Sequence, residues 1–161
     1  MENEVIVSRY IPDDLNELLD MIKASFSTRE LGIVYEDEPI KFWLSEYTQE
    51  EIEKAAATKH LYVAKLDGKI VGSGIVGSDD NMAYISGVFV DPTIQGKGIG
   101  RKLIEVLEKD EICQKYKKIY LTAALSAGKF YQKLGYTYKY DVPKIVLDGN
   151  LDVVYMEKQL D

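Results

Sequence analysis

Polar and apolar positions alternate through residues 82–90, where Tyr84, Ser86, Val88 and Val90 interleave with Ile85 and Phe89. That is the period of a β-strand. Asp91-Pro92 ends it, because proline brings no N–H to a ladder and disfavours helix at the residue before it. Upstream, Val5 and Val7 alternate against Ile6 and predict a first strand over 4–10. Leu15, Leu18, Leu19, Ile22 and Phe26 then recur at helical intervals, predicting a helix to about residue 27. Asp13 or Asp14 offers its N-cap, and Asp14 with Glu17 has capping-box spacing. Residues 27–47 are the least regular, with Gly32, Pro39, an acidic run at Glu36, Asp37 and Glu38, and the aromatics Tyr35, Phe42, Trp43 and Tyr47. A short helix over 40–46 is the reading there. Thr48 with Glu51 opens a helix to about residue 58.

Two strands follow, over 61–66 and 70–77, joined by Asp67-Gly68-Lys69, a hairpin turn. A second turn over 78–81 leads into the central strand. Beyond it, Leu103, Ile104, Val106 and Leu107 form one face of a helix ending near residue 111, and 118–123 reads as a buried strand. A helix over 126–134 ends at Gly135, a natural residue for a helix C-terminus. Two last strands, over 137–147 and 151–158, flank Asp148-Gly149-Asn150, and Pro143 marks a bulge or an edge. There is no repeat, linker or low-complexity tract. The order predicts one mixed α/β domain over residues 1–161.

Between the central strand and its helix stands Gln95-Gly96-Lys97-Gly98-Ile99-Gly100. A glycine-rich turn lets successive N–H groups converge on one anion, and the helix N-terminus adds the positive end of its dipole. The arrangement is a cradle for a phosphate or pyrophosphate. It is not a nucleotide P-loop, since counting from Gly96 the sixth residue is Arg101, where G-x-x-x-x-G-K-[ST] needs glycine. It is not a dinucleotide fingerprint either, because G-x-G-x-x-G from Gly96 or Gly98 ends on Arg101 or Leu103.

Composition narrows the field. The chain of 161 residues is 46% hydrophobic and 29% charged, enough for one core and no more, and typical of a soluble globular protein. Apolar runs are too short for a transmembrane helix and the acidic N-terminus lacks a signal-peptide core, so cytoplasm is the expected location. One cysteine, Cys113, and one histidine, His60, leave no disulfide framework, cysteine-rich zinc site or multi-histidine site, so no metal is expected. A net charge of −7 argues against nucleic acid as a partner and suits a cationic acceptor.

The loop has the spacing Q-x-x-G-x-G in Gln95, Gly98 and Gly100, and here the sequence resembles the GNAT superfamily of N-acetyltransferases. Ala127-Gly128-Lys129-Phe130-Tyr131-Gln132-Lys133-Leu134-Gly135-Tyr136 resembles that superfamily's other hallmark, A-x-x-F-Y-x-K-x-G-[FY]. Two motifs in order, separated by a helix and a strand, are far more specific than either alone. The resemblance implies the GNAT fold: about seven strands, largely antiparallel with a splayed parallel central pair, and helices on both faces.

It also implies acetyl-CoA as co-substrate. Its pyrophosphate would lie on Gln95, Gly96, Lys97, Gly98, Ile99, Gly100 and Arg101, and its pantetheine arm along Val88, Phe89 and Val90. Ser126, Lys129, Phe130 and, more remotely, Lys133 are the further contacts implied. Many relatives carry asparagine where this chain has Ala124; either Ser126 partly substitutes for it or the helix sits differently. The implied reaction is direct attack of an amine on the thioester, with a backbone N–H near Val90 stabilising the oxyanion and Tyr131 as acid to the departing thiolate.

The base has no clear bearer, because the central strand offers only Tyr84, Ser86 and Gly87 among its non-aliphatic, non-Phe positions; a water chain or a carboxylate at Glu36–Glu38 are the alternatives. His60 reads as a structural surface residue and Cys113, at a helix end, as an inert thiol. A catalytically silent acyl-CoA sensor of the same fold is the runner-up. The acceptor is a small-molecule or peptide amine, framed by 26–47 and 136–144, and the last strands leave a homodimer open.

Overall fold

A single sheet runs across the molecule in the order β1-β2-β3-β4-β5-β8-β6, with β7 attached to β8. The strands are β1 (Val5–Arg9), β2 (His60–Leu66), β3 (Lys69–Asp79), β4 (Met82–Val90), β5 (Lys118–Ala124), β6 (Thr137–Tyr138), β7 (Ile145–Leu147) and β8 (Leu151–Gln159). The helices are α1 (Leu15–Phe26), α2 (Gln49–Thr58), α3 (Ile99–Glu108), α4 (Glu111–Tyr116) and α5 (Gly128–Lys133). This computed structural model describes residues 4–26, 47–94, 96–124, 127–139, 145–147 and 151–161, with the backbone alone at 26, 124, 145–147 and 151–153.

Among the described residues every strand pairing is antiparallel except β4 with β5. The expected mixed sheet with one parallel central pair is therefore present. Both faces are covered. On one, Leu18, Met21 and Ile22 of α1 and Ile52 of α2 pack on Leu61, Val63, Ile70 and Ile75. On the other, Ile104 and Leu107 of α3, Cys113 of α4 and Tyr131 of α5 pack on Ala83, Ile85, Ile119, Leu121, Val154 and Met156. Alternation puts Ile119 and Leu121 on one side of β5 and Tyr120 on the other. Ile99 and Leu103 complete that layer over Val5, Ala64 and Val71.

The structure differs from the sequence reading in five places. The helix expected to end near residue 111 stops at Glu108; Asp110, with its carboxylate accepting the Ile112 N–H, caps a separate α4. No glycine or proline marks that break. The strand expected over 137–147 is represented by β6 and β7, with 140–144, Pro143 included, outside the described residues. Asp14 does not cap α1 with Glu17: it sits in a 3-10 turn, Pro12–Asp14, and its carboxylate accepts the Ile11 N–H and pairs with Lys65 at 2.8 Å. Glu17 instead accepts the Ile70 N–H of β3. The even alternation in β4 is also broken. Gly87 has φ 59° and the register against β3 slips there, so Ile85 faces the α3 layer whereas Phe89 packs with the α1 layer. Finally, Cys113 is the third residue of α4 rather than at the end of the preceding helix. The helix read over 40–46 and the turn at 148–150 lie outside the described residues.

Candidate active site

The parallel strands β4 and β5 pair at only two positions, Ala83↔Ile119 and Tyr84↔Tyr120. Beyond them β5 stays on β8 as far as Ala124↔Val153, while β4 stays on β3 as far as Gly72↔Val90. The sheet therefore opens between the C-terminal ends of its two central strands. Asp91 donates its N–H to the Val71 carbonyl at 2.8 Å. Since backbone groups alternate sides along an antiparallel ladder, Phe89 points its own toward β3 and Val90 points its own into the opening. An N–H and a carbonyl at Val90 are thus available to a guest lying along the strand.

At the mouth of this opening the chain turns through Asp91 into α3. The Asp91 carboxylate accepts from the Thr93 N–H at 2.9 Å and the Thr93 hydroxyl at 2.7 Å, with Lys69 at 3.8 Å. Burial alone would push its pKa up; the Thr93 hydrogen bonds and the Lys69 charge outweigh it and hold the group ionised, below the usual value. This pins the start of the loop. Its end is Gly98, the N-cap of α3, at φ 65° and without a capping side chain. A side chain there would meet nothing within 4 Å, so the space above the turn is open and the backbone conformation is what calls for glycine. With no side chain to cap it, the first turn of α3 directs its N–H groups outward, as an anion site requires. Lys97 and Arg101 are exposed beside it, Arg101 paired with Glu105 at 3.1 Å.

The second motif meets the first at one point. A Cβ on Gly100 would stand 3.0 Å from Cζ of Phe130, so the Phe130 ring lies over the first turn of α3 and only a glycine admits it so closely. Phe130 keeps 37% of its surface exposed, and Lys129 beside it is exposed. Tyr131, the next residue, is 6% exposed and packs edge-on against Phe130 at 5.0 Å and Tyr136 at 5.7 Å. Burial pushes its phenol well above the ordinary value, so it is protonated at any working pH. Among the described residues no hydrogen-bond partner meets the Tyr131 hydroxyl.

Val88, Val90, Gly96, Lys97, Gly98, Ile99, Gly100, Arg101, Phe130 and Tyr131 thus belong to one neighbourhood built by β4, the loop and α5. Among the described residues one sequence-predicted cofactor contact turns away. Phe89 turns its side chain into the α1 layer against Tyr47, leaving only its backbone on the strand. Gln95 and Ser126 lie outside the described residues, as do Glu36–Glu38; of Ala124 only the backbone is described. His60 is remote from the loop, bonded through Nδ1 to Asp110 at 2.8 Å. Burial pushes the Cys113 thiol up to about 12, with Asp110 and Glu108 adding to the effect, so it is no nucleophile.

The sequence reading missed what stands behind Tyr131. The Tyr136 hydroxyl donates to Glu108 at 2.9 Å, and Lys158 reaches the same carboxylate at 3.0 Å and the Leu134 carbonyl at 2.7 Å. Glu108 and Lys158 are fifty positions apart on different elements, and no local pattern links them.

The family described as Acetyltransferase (GNAT) domain matches residues 24–160. An uncharacterized N-acetyltransferase of Methanocaldococcus jannaschii is 28% identical over 102 residues, 61% of this chain and 65% of that relative, so the match spans less than two thirds of its length. In fold, the chain is similar to the PaiA N-acetyltransferase of Thermoplasma acidophilum in complex with coenzyme A, with TM-score 0.78 and 20% identity over 97% of this chain and 99% of that one. It is also similar to a GCN5-related N-acetyltransferase from Rhodopseudomonas palustris, with TM-score 0.80 and 21% identity over 99% of both chains.

Proposed function

The chain belongs to the GNAT acetyltransferase family, and on that premise we propose that it moves the acetyl group of acetyl-CoA to a primary amine of a small molecule or peptide. Residues 1–161 act in this reading as one catalytic domain. The observation that carries it is the contact of Phe130 with Gly100, which brings the phosphate-type loop and the proton-donor helix to one end of an opened parallel pair.

The residues present suit coenzyme A. Gln95, Gly96, Lys97, Gly98, Ile99, Gly100 and Arg101 hold the pyrophosphate through outward N–H groups and two exposed cations. Val88, Phe89 and Val90 offer the pantetheine arm a strand edge, with the backbone of Val90 turned into the opening. Ser126 would serve the pantetheine arm, and Lys129 and Phe130 the adenine and its phosphates. In the transfer step a neutral amine forms a bond to the acetyl carbon while the carbon–sulfur bond breaks. The N–H of Val90 stabilises the oxyanion, and Tyr131 gives its phenolic proton to the leaving sulfur and is reprotonated from the ammonium or solvent. Burial keeps that phenol in the protonated form that the role requires.

A silent acyl-CoA sensor is the second reading, favoured by one observation: β4 carries neither a carboxylate nor an imidazole to take the amine's proton. Thiol release from acetyl-CoA, measured against polyamines, aminoglycosides, amino acids and peptides, separates the two. We expect turnover with at least one amine and a loss of about 10²-fold or more in kcat for Tyr131→Phe, with coenzyme A affinity kept within twofold. Tight coenzyme A binding without turnover over the whole panel would favour the sensor, and no binding would overturn the loop assignment.

A further inference from the structure

Tyr131 stands between two aromatic rings that are held very differently. Phe130, on its outer side, is 37% exposed and lies over the loop where a guest would come and go. Tyr136, on its inner side, is 1% exposed and tied at both ends. Its backbone N–H donates to the Tyr131 carbonyl at 3.0 Å, and the Gly135 N–H donates to the Gln132 carbonyl at 3.0 Å, with Gly135 at φ 97°. These are the two bonds of a Schellman motif, and the side-chain contact that accompanies such a motif is here the Tyr131–Tyr136 ring pair.

At the other end of Tyr136, its hydroxyl donates to Oε2 of Glu108 at 2.9 Å. Glu108 is 14% exposed and would be costly to keep charged alone; Lys158 neutralises it at 3.0 and 3.1 Å. The same Lys158 ammonium takes the Leu134 carbonyl at 2.7 Å, left without a helical partner at the end of α5, and lies 5.5 Å from the Tyr136 ring centre. One cation therefore joins β8, the end of α3 and the end of α5. The Tyr131 hydroxyl has no anchor of its own among the described residues, so its direction is inherited from the rings beside it.

We infer that Glu108, Tyr136 and Lys158 form a positioning clamp that aims the Tyr131 phenol into the opening between β4 and β5. The clamp rests on the assignment of Tyr131 as the proton donor, and it adds three residues that touch neither substrate nor loop. Phe130 is the yielding wall of the slot and Tyr136 the fixed one. Releasing the fixed wall lets the phenol swing within its pocket while the loop, on the far side of Phe130, is untouched.

The test needs no acceptor. Coenzyme A and desulfo-coenzyme A differ only at the sulfur, so the ratio of their dissociation constants reads a hydrogen bond from Tyr131. Calorimetry at pH 9, where part of the thiol is ionised, should give about tenfold preference for coenzyme A in the wild type, the size of one hydrogen bond. Tyr131→Phe should bring the ratio to about unity. Lys158→Met should lower it to about threefold or less with desulfo-coenzyme A affinity unchanged, and should change nothing further in the Tyr131→Phe background. Glu108→Gln, which still accepts from Tyr136, should retain most of the ratio.

Tyr136→Phe keeps the ring, removes only the hydroxyl tie, and serves if Lys158→Met fails to fold. A melting point lowered in the clamp variants with the wild-type ratio intact would overturn the clamp and leave Tyr131 standing. A ratio unchanged by Tyr131→Phe itself would overturn the proton-donor assignment and the clamp with it.

Discussion

Gly98 and Gly100 are two residues apart and are glycine for different reasons, which makes them a matched pair for experiment. At Gly98 the constraint is the backbone, φ 65° with open space above it; at Gly100 it is the Phe130 ring, 3.0 Å from a Cβ. Gly98→Ala places a side chain in a left-handed conformation, at a cost of about 1–2 kcal/mol, met by twisting the turn and moving its N–H groups. Coenzyme A affinity should fall by about tenfold with only a small drop in melting temperature. Gly100→Ala pushes Phe130 outward instead, so it should leave pyrophosphate contacts in place and disturb the Tyr131 slot. Calorimetry of coenzyme A beside its desulfo analogue distinguishes them, and equal affinity losses with equal ratios would count against the division. Residues of this kind are legible in the sequence because their chemistry is local: the glycines, Lys97, Phe130 and Tyr131 fall within two short motifs. Glu108 and Lys158 are not, because a lysine on β8 and a glutamate at a helix end look like any solvated charges until the chain has folded.

The elements were legible where one periodicity ran uninterrupted, as in α1, or where turn residues bounded a β-rich run, as in the meander β2–β3–β4, and failed where a single polar residue redirected the chain. Asp110 is the clearest case. It ends α3 and caps α4 in a stretch without glycine or proline, so helix propensity alone carries a reading across it. Its carboxylate is 2% exposed and accepts from Ile112 N–H at 2.8 Å, Tyr62 hydroxyl at 2.5 Å and His60 Nδ1 at 2.8 Å. Asp110→Ala removes the cap and leaves two half-buried side chains, His60 and Tyr62, without their acceptor. A loss of about 2–4 kcal/mol follows, and Asp110→Asn, which keeps an acceptor for the cap, should lose about half as much. Because this cluster lies at the far end of α3 from Gly98, coenzyme A affinity should stay within about twofold in whatever fraction folds. Denaturant midpoints and calorimetry on the two variants check both statements. The bulge at Gly87 leaves no local pattern either: one residue at positive φ exchanges the faces of everything after it, and that exchange sends Phe89 inward and turns the backbone of Val90 to the opening.

Among the described residues the acids that burial and hydrogen bonding shift are of two kinds, and they set opposite edges to the stability of the molecule. Burial raises the Cys113 thiol from 9.0 to about 12, and Tyr62 and Tyr120 from 10.0 to about 12. Tyr131 and Tyr136 are pushed higher, again by burial first, with Glu108 adding to Tyr136. Between the unfolded and folded values the native state holds protons that the unfolded chain has released, so stability falls as pH rises through that window. Asp91 and Asp110 are the reverse case. Burial would raise both, but hydrogen bonds from Thr93, and from Tyr62, Ile112 N–H and His60, hold them below 3.8. Their contribution is present above that value and is lost as pH falls through it toward the folded values. The urea midpoint should therefore be flat from about pH 5 to 8.5, drop above about 9, and drop again below about 4. Cys113→Ser, which leaves a hydroxyl that does not titrate there, should flatten the start of the alkaline limb and leave the acid limb as it was. An alkaline limb unchanged by Cys113→Ser would assign the first loss to the tyrosines, and an absent limb would mean that these phenols are far better solvated than their burial implies.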